Sequence, residues 1–227
     1  MTTEELEHAG PLFFDAHQWE TIEAAMARII PTDHDPGARE ARTVRFLDRY
    51  LSGLDYIYAR PDGSGFMRLE GRAAEAWRER IDGLRRKYVA GIADMDRRSS
   101  DLFGAPFCQL SPAQQDQVLQ EMEKPAQPEE KALQASQVAS GFEHPEPAMQ
   151  QSAPEHSLDF FPLLVLHTRQ GFYADPIYGG NQDHVGWNVV GFPGPSSLAE
   201  VHQGRFRTDP YFAQSATGLT EGNNHEA

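Results

Sequence analysis

The residues with the greatest chemical potential lie close together in segment 171–187, which has the sequence GFYADPIYGGNQDHVGW. Asp175, Asp183 and His184 fall within it, and His167 precedes it on a predicted helix. Carboxylates and imidazoles are the side chains that most often transfer protons in catalysis or ligate metal ions. One hypothesis is therefore a free-standing small enzyme or a metal-binding protein that uses these four residues.

The sequence around these four residues contains none of the common catalytic or metal-ligating motifs. It has no HExxH spacing, no Gly-x-Ser-x-Gly elbow and no GxGxxG dinucleotide fingerprint. The alternative is a structural loop whose Asp and Asn side chains satisfy local backbone groups and whose surface contacts a partner. We favour this alternative, and we expect no catalytic residue, bound cofactor or metal ion in this chain.

The composition of the segment suits a docking loop. Gly179 and Gly180 can adopt positive φ, which lets the chain turn sharply and approach another surface closely. Pro176 fixes one torsion and biases Asp175 towards an extended conformation. A stiff loop loses little entropy on docking, and aromatic residues are frequent in interface hot spots. We predict that the contacts with a partner are made by Phe172, Tyr173, Asp175, Pro176, Ile177, Tyr178, Gly179, Gly180, Asn181, Asp183 and Trp187.

Two other features could carry chemistry. The triplet Asp33, His34 and Asp35 could bind a divalent cation, although such a triplet is more often a solvated turn. Cys108 is the only cysteine of the chain. A single cysteine excludes an internal disulfide framework and a thiolate-ligated iron–sulfur cluster.

The elements that must position segment 171–187 are helices. Asp15 and Gln18 have capping-box spacing at the start of a first helix, which Pro31 ends. A second helix follows, with Gly53 as its C-cap. A third is predicted over about 72–88, and Ser111 caps a fourth.

The last predicted helix begins after Ser157 and closes at Gly171, and we expect no regular helix after it. The predicted fold is all-α, an irregular helical domain with long loops and an extended C-terminal segment. Residues 1–122 form the N-terminal helical part of a single domain. Residues 123–156 form a Pro/Gln/Ala-rich insertion, which we expect to be mobile with a short helix near 129–139. Residues 157–197 hold the last helix and the DPIYGG loop, and 198–227 form a polar tail that orders only against another surface.

Charge and hydropathy restrict the partners. The net charge is -14, with 34 acidic and 20 basic residues, which disfavours nucleic acid. No apolar run approaches the roughly 20 residues of a membrane span, so we predict no direct membrane insertion. Residues 1–110 hold 15 basic and 19 acidic side chains, whereas 111–227 hold 5 and 15. Basic residues concentrate at Arg39, Arg42, Arg45 and Arg49, and again from Arg68 to Arg98. They are either on solvated helix faces or part of a docking surface for a partner of opposite charge.

Segments at both ends of the chain resemble one protein family. Segment 171–181 together with Asp183, Gly186–Trp187 and residues 191–194 (GFPG) looks like the signature of gluconate 2-dehydrogenase subunit 3. Residues 28–33 (RIIPTD), 36–41 (PGAREA) and 44–48 (VRFLD) are similar to that family's first two helices and their connecting loop.

The resemblance implies a partnership with a second protein. Family members accompany a large FAD-binding dehydrogenase of the glucose-methanol-choline type, often with a cytochrome c subunit, and support its folding, stability and export. This chain would then be a chaperone-like, non-catalytic gamma subunit, with FAD in its partner. Related complexes oxidise gluconate, glucose, sorbitol, fructose or the 3-position of glucosides.

The N-terminus bears on the compartment of the protein. Many family members begin with a twin-arginine signal, whereas the acidic N-terminus here has neither that signal nor a secretory one. The resemblance then implies either a periplasmic passenger of an exported partner or a cytoplasmic complex.

Overall fold

A computed structural model describes residues 10–123 and 154–206 of the chain. These residues are mostly helical and contain no sheet, and an isolated antiparallel bridge joins Ala59 to Phe66. The all-α prediction is confirmed. The α-helices are α1 (Ala16–Ile29), α2 (Thr43–Ser52), α3 (Gly71–Phe103), α4 (Pro112–Met122), α5 (Pro154–Ser157), α6 (Phe160–Tyr173), α7 (Val185–Val189) and α8 (Leu198–His202). Short 3-10 helices span Phe107–Gln109, Pro176–Tyr178 and Gln182–His184.

Local sequence signals set several of the helix ends. The Asp15 side chain accepts a hydrogen bond from the Gln18 N–H, and the Gln18 side chain accepts one from the Asp15 N–H. This reciprocal box satisfies two of the backbone donors that a helix start leaves unpaired. Ser111 and Gln114 form the same box at α4, with Pro112 in the first turn, and Gly53 is the C-cap of α2. These predicted ends are confirmed.

Helix α3 is the longest element and extends well beyond the predicted 72–88. Ile92, Met95 and Ser99 continue the buried stripe of Ile81, Leu84 and Tyr88 down to the left-handed cap at Gly104. Gly91 lies inside this helix, and its missing side chain makes room for the ring of Phe160. A Cβ there would lie 2.1 Å from Cδ2 of Phe160, so the first turn of α6 packs directly on the α3 backbone.

The core lies between α2, α6 and the helices that pack against them. Helix α2 packs against α6, α1 packs against both, and α3 and α4 close the other side. The largest fully buried side chains are Tyr88, Phe107, Phe172, Ile22, Met26, Leu47, Leu51, Ile81, Leu84, Met95, Leu163 and Leu164. Asp48 ties the start of the described chain to α2, because its carboxylate accepts the N–H groups of Leu12, Phe13 and Phe14 at 2.7–2.9 Å.

The region after α5 differs from the prediction in three ways. Asp159, not Ser157, is the N-cap of α6. Gly171 lies inside α6, where its backbone approaches Phe46 and the Thr43 carbonyl, and the helix continues to Tyr173. Two short helices, α7 and α8, follow where the sequence predicts no helix.

Several predictions fall outside the described residues. Most of the 123–156 insertion, including the helix near 129–139, lies in the gap between Glu123 and Pro154, and the tail beyond Phe206 also lies outside. Among the helices of residues 10–123 and 154–206, none has both the length and the apolar character of a membrane span.

Candidate functional site

The segment singled out from the sequence folds onto its own chain through its glycines. Gly179 has a φ of 101°, in the left-handed region, and a Cβ there would lie 2.7 Å from Cδ of Arg49. A Cβ on Gly180 would lie 2.1 Å from the Gly171 carbonyl oxygen. The close approach that the two glycines allow is therefore to α2 and α6 of the same molecule.

Asn181 fastens the loop from within. The side chain is fully buried, its Nδ2 donates to the Ala174 carbonyl at 2.9 Å, and its Oδ1 accepts from the Gly186 N–H at 2.7 Å. Trp187 is also buried, and its Nε1 donates to the Tyr173 carbonyl at 2.8 Å. Asp175 caps the following 3-10 helix by accepting from the Ile177 N–H at 2.9 Å.

The predicted contact residues therefore divide into two groups. Buried within this chain are Phe172, Gly179, Gly180, Asn181 and Trp187. Tyr173 and Asp183 are exposed, and partly exposed are Asp175, Pro176, Ile177 and Tyr178. Only the second group offers surface to another molecule.

The structure does not assemble the four residues of the enzyme or metal hypothesis. His167 is fully buried in the core, Asp175 is a helix cap, and His184 lies against the Trp187 ring at 4.9 Å. Asp183 has a left-handed backbone conformation, with a φ of 54°. Its carboxylate does not form a ligand cluster with the other three residues. Within the described ranges, the one group of three potential ligands whose atoms lie within 4.8 Å of one another is Asp33, His34 and Asp35, all exposed.

His167 belongs to a buried network that the sequence does not reveal. Its Nδ1 lies 2.7 Å from the Tyr88 hydroxyl, and its Nε2 lies 2.6 Å from Oε1 of Glu155. The other oxygen of Glu155 pairs with Arg80 and accepts from the Tyr50 hydroxyl at 3.3 Å. Burial, with the Arg80 charge as a second cause, lowers the pKa of His167 to about 3.

The centre of the network is structural, because His167, Tyr88 and Glu155 are buried away from solvent. The imidazole is neutral at ordinary pH, so Nε2–H donates to the carboxylate and Nδ1 accepts from the hydroxyl. Burial also raises the pKa of Tyr88 well above its ordinary value, which keeps the hydroxyl as a neutral donor. Helices α2, α3, α5 and α6 are thereby joined through polar contacts among Tyr50, Arg80, Tyr88, Glu155 and His167.

An aromatic pocket of about 520 Å³ opens beside this network. Its aromatic lining consists of Phe46, Tyr50, Tyr56, Trp77, Tyr173 and Tyr178. Arg80 also lines it, with its guanidinium 4.7 Å from the Trp77 ring centroid. Burial raises the pKa values of Tyr50 and Tyr56, so the pocket presents neutral phenols. Such walls suit aromatic, aliphatic or proline side chains of another protein.

A second pocket, the arginine pocket, has a volume of about 420 Å³. It is lined by the four arginines of the 39–49 cluster, together with Glu23 and Asp48. The Asp48 carboxylate is occupied by three backbone N–H groups, and Glu23 lies 4.0 Å from Arg39. The basic residues of this cluster thus converge on one surface of an otherwise acidic protein.

Arg49 connects the two pockets. It lines the arginine pocket, its guanidinium lies 5.7 Å from the Tyr56 ring centroid, and its Nη1 donates to the Ile177 carbonyl at 3.4 Å. The DPIYGG loop therefore rests on a buried arginine that lines the arginine pocket and lies beside Tyr56 of the aromatic pocket. This arrangement cannot be read from sequence, because residues 49, 56 and 177 are separated in the chain.

Comparison with known proteins identifies one family. The family model described as gluconate 2-dehydrogenase subunit 3 matches residues 16–194, which is most of the chain. No curated protein and no solved structure shows significant similarity to it. The matched range contains the complete DPIYGG loop. It also contains every residue that lines the two pockets, except Gly10 and Leu12.

Proposed function

The chain belongs to the gluconate 2-dehydrogenase subunit 3 family, and from this premise we propose that it is the non-catalytic small subunit of a flavin-dependent sugar, glucoside or sugar-acid dehydrogenase. In this proposal it binds a catalytic subunit of the glucose-methanol-choline type, which carries FAD, and stabilises that subunit during maturation or export. A cytochrome c subunit is a further member of the proposed complex. Its location follows the catalytic partner, in the periplasm if the partner is exported and in the cytoplasm if it is not.

The observation that carries the proposal is the pair of pockets linked by Arg49, which lines the arginine pocket and lies 5.7 Å from the ring centroid of Tyr56 in the aromatic pocket. One pocket offers aromatic walls, and the other offers a concentration of guanidinium groups. Protein interfaces favour this combination, because tyrosine, tryptophan and arginine supply much of the energy of hot spots. A partner segment with an apolar side chain beside an acidic one would match both pockets.

The four acid–base candidates of the loop region, His167, Asp175, Asp183 and His184, do not form a shared site, which supports a binding role for this region over a catalytic one. His167 and Glu155 are the closest pair of such groups near the loop, and both are buried in the core. Catalysis needs a group that reaches substrate, and neither of these does. The geometry thus favours partner binding at the pockets.

Tyr173 provides a direct test of this surface. Its side chain is 45% exposed and lines the aromatic pocket, so Tyr173→Ala removes contact area while the buried residues of the loop stay in place. Val89→Ala is the matched control, since Val89 is 47% exposed on α3 and lines neither pocket.

The experiment is co-expression of the tagged chain with its flavoprotein partner, followed by affinity purification and a visible spectrum. We expect wild type and Val89→Ala to retain the flavoprotein, and Tyr173→Ala to bind it about 10-fold more weakly or worse, as for a typical hot-spot residue. Equal retention of flavoprotein by all three chains would move the docking surface elsewhere. A wild-type chain that retains no flavoprotein when the partner is present in the same cells would contradict the proposed function itself.

A further inference from the structure

The fold brings together three side chains that are far apart in the sequence, namely Cys108, His17 and Asp96. Sγ of Cys108 lies 3.8 Å from Nδ1 of His17. Nε2 of the same imidazole lies 2.6 Å from Oδ2 of Asp96. A thiol, an imidazole and a carboxylate in this order form the arrangement that activates a nucleophile in many enzymes.

The contacts define the protonation pattern of the imidazole. Asp96 has only acceptor oxygens when ionised, so it selects the tautomer with the proton on Nε2. Nδ1 then faces Cys108 with a free lone pair, and it can accept the thiol proton. The imidazolium formed in this way would be stabilised by the carboxylate on its other side.

The three residues are held in place by rigid parts of the core. Asp96 lies on α3 and also accepts the Phe107 N–H through its second oxygen, at 3.0 Å. Phe107 is fully buried, and its carbonyl accepts from Nε2 of Gln115 at 3.2 Å. The 3-10 turn that carries Cys108 is therefore fixed relative to the first turn of α1, where His17 lies.

The site is open to solvent, unlike the network around His167. The side chain of His17 is 47% exposed and that of Asp96 is 22% exposed, and Cys108 is partly exposed. None of the three residues lines the aromatic or the arginine pocket. A thiol outside both of these pockets suits reaction with a small soluble reagent more than hydrolysis of a substrate held in either pocket.

We propose that Cys108, His17 and Asp96 form a reactive-thiol site that undergoes exchange with small-molecule disulfides, so that Cys108 is a site of reversible S-thiolation. His17 takes the thiol proton, and the thiolate attacks one sulfur of the disulfide. The S–S bond of the reagent breaks while a new S–S bond forms to Cys108, and the released thiolate receives the proton from His17. No other cysteine exists in the chain to resolve the mixed disulfide, so a second external thiol must reverse it.

The single cysteine makes the test unambiguous, because every thiol signal comes from this site. The native chain is mixed with excess 5,5′-dithiobis(2-nitrobenzoate), and the rate is followed from about pH 5 to about pH 9. An unassisted thiol slows about tenfold for each pH unit below about 8.5, in step with its thiolate fraction. We expect the wild-type rate to fall much less steeply, so that at about pH 6 it exceeds that of His17→Gln by at least about 10-fold.

Two further variants complete the comparison. Asp96→Asn should lie between wild type and His17→Gln, since it weakens the orientation of the imidazole but leaves the imidazole present. His34→Gln is the control, because that histidine is 84% exposed in a distant loop and should react as wild type does. Treatment with oxidised glutathione should add one glutathione to the wild-type mass, and dithiothreitol should remove it.

Two results would overturn the proposal. One is a His17→Gln rate and pH profile equal to those of wild type. The other, which needs no variant, is a wild-type thiol that follows the steep profile of an unassisted thiol or reacts more slowly than the same chain unfolded in denaturant. Circular dichroism of each variant establishes that the fold is retained before rates are compared.

Discussion

At the residue scale, the DPIYGG loop and its flanking residues serve two purposes. Some of them hold the loop in its fold, and others are exposed for binding. Gly179 and Gly180 approach α2 and α6, and Asn181 closes the loop from inside. Their surroundings are supplied by this chain, so these three residues maintain the shape of the loop. Tyr173, Ile177 and Tyr178 are then presented at the surface in a fixed arrangement.

Gly180→Ala tests this structural role. The new methyl carbon would lie 2.1 Å from the Gly171 carbonyl oxygen, and the obstructing atoms are backbone atoms of α6 that cannot rotate away. We expect the free energy of unfolding to fall by about 2–3 kcal/mol, as for other overpacked sites. Urea denaturation followed by circular dichroism measures the change.

Gly83→Ala is the control for that substitution. Gly83 lies within α3, and the nearest atom to a Cβ placed on it is the end of the Arg86 side chain at 4.0 Å. Alanine is the better helix former, so this variant should be more stable than wild type by up to about 1 kcal/mol. If Gly180→Ala were as stable as wild type, the loop would not sit on α6 as described.

At the element scale, the helices that carry their own end signals can be predicted, and those that depend on distant contacts cannot. The Asp15 and Ser111 capping boxes determine local hydrogen bonds, so the sequence predicts the starts of α1 and α4 correctly. It misses the second half of α3, because glycine and charged residues weaken the local pattern there. The helical state of that half is supported by Phe160 of α6, which packs on Gly91.

The same distinction applies to the candidate sites. The sequence identifies the loop and the arginine cluster, because both are contiguous in the chain. It cannot identify the His167–Glu155 contact or the Cys108–His17–Asp96 arrangement, since each depends on how separate helices pack. Asp183 and His184, adjacent in sequence to the loop, adopt left-handed backbone conformations that direct them away from a common site.

The buried network makes helix packing depend on pH through His167. The pKa of this histidine is lowered to about 3, first by burial and second by the Arg80 charge. Glu155 would favour the charged ring, but Arg80 pairs with it, and Tyr50 and Tyr88 are neutral neighbours. The unfolded chain takes up this proton near pH 6.5, and the folded chain does not. The contribution of His167 to the free energy of unfolding is therefore complete above about pH 6.5 and is lost as the pH falls towards 3.

We therefore expect His167 to lower the free energy of unfolding by about 2 kcal/mol between pH 7 and pH 5. His167→Gln should be less stable at neutral pH because buried hydrogen bonds are lost, but this part of its pH dependence should be absent. His34→Gln, which alters an exposed histidine, should keep the wild-type dependence. Urea titrations at the two pH values measure each slope, and equal slopes for all three proteins would show that His167 titrates normally.

At the scale of the whole molecule, an acidic chain carries a local cluster of arginines. The chain carries a net charge of -14, yet the arginines at 39, 42, 45 and 49 meet at one pocket. A localised cluster of arginines on an acidic protein attracts an acidic partner segment and so helps to orient the encounter. The aromatic pocket supplies contact area that salt does not screen.

The electrostatic and the apolar contributions to docking can be separated by varying the salt concentration and by substituting a matched pair of arginines. Arg39 lines the arginine pocket with 58% of its side chain exposed, and Arg97 is 59% exposed on α3, outside both pockets. Arg39→Gln should weaken association with the flavoprotein subunit by several-fold at low ionic strength and make the affinity less dependent on salt. Arg97→Gln should leave both quantities at the wild-type value.

The measurement is the dissociation constant of the complex at two or more salt concentrations for wild type and both variants. A loss at Arg39 that disappears at high salt would locate the electrostatic part of docking at the arginine pocket. Equal effects at Arg39 and Arg97 would instead mean that only net charge matters. Because Tyr173→Ala removes apolar contact without changing charge, its loss of affinity should persist at every salt concentration, and that difference would distinguish the two pockets as parts of one interface.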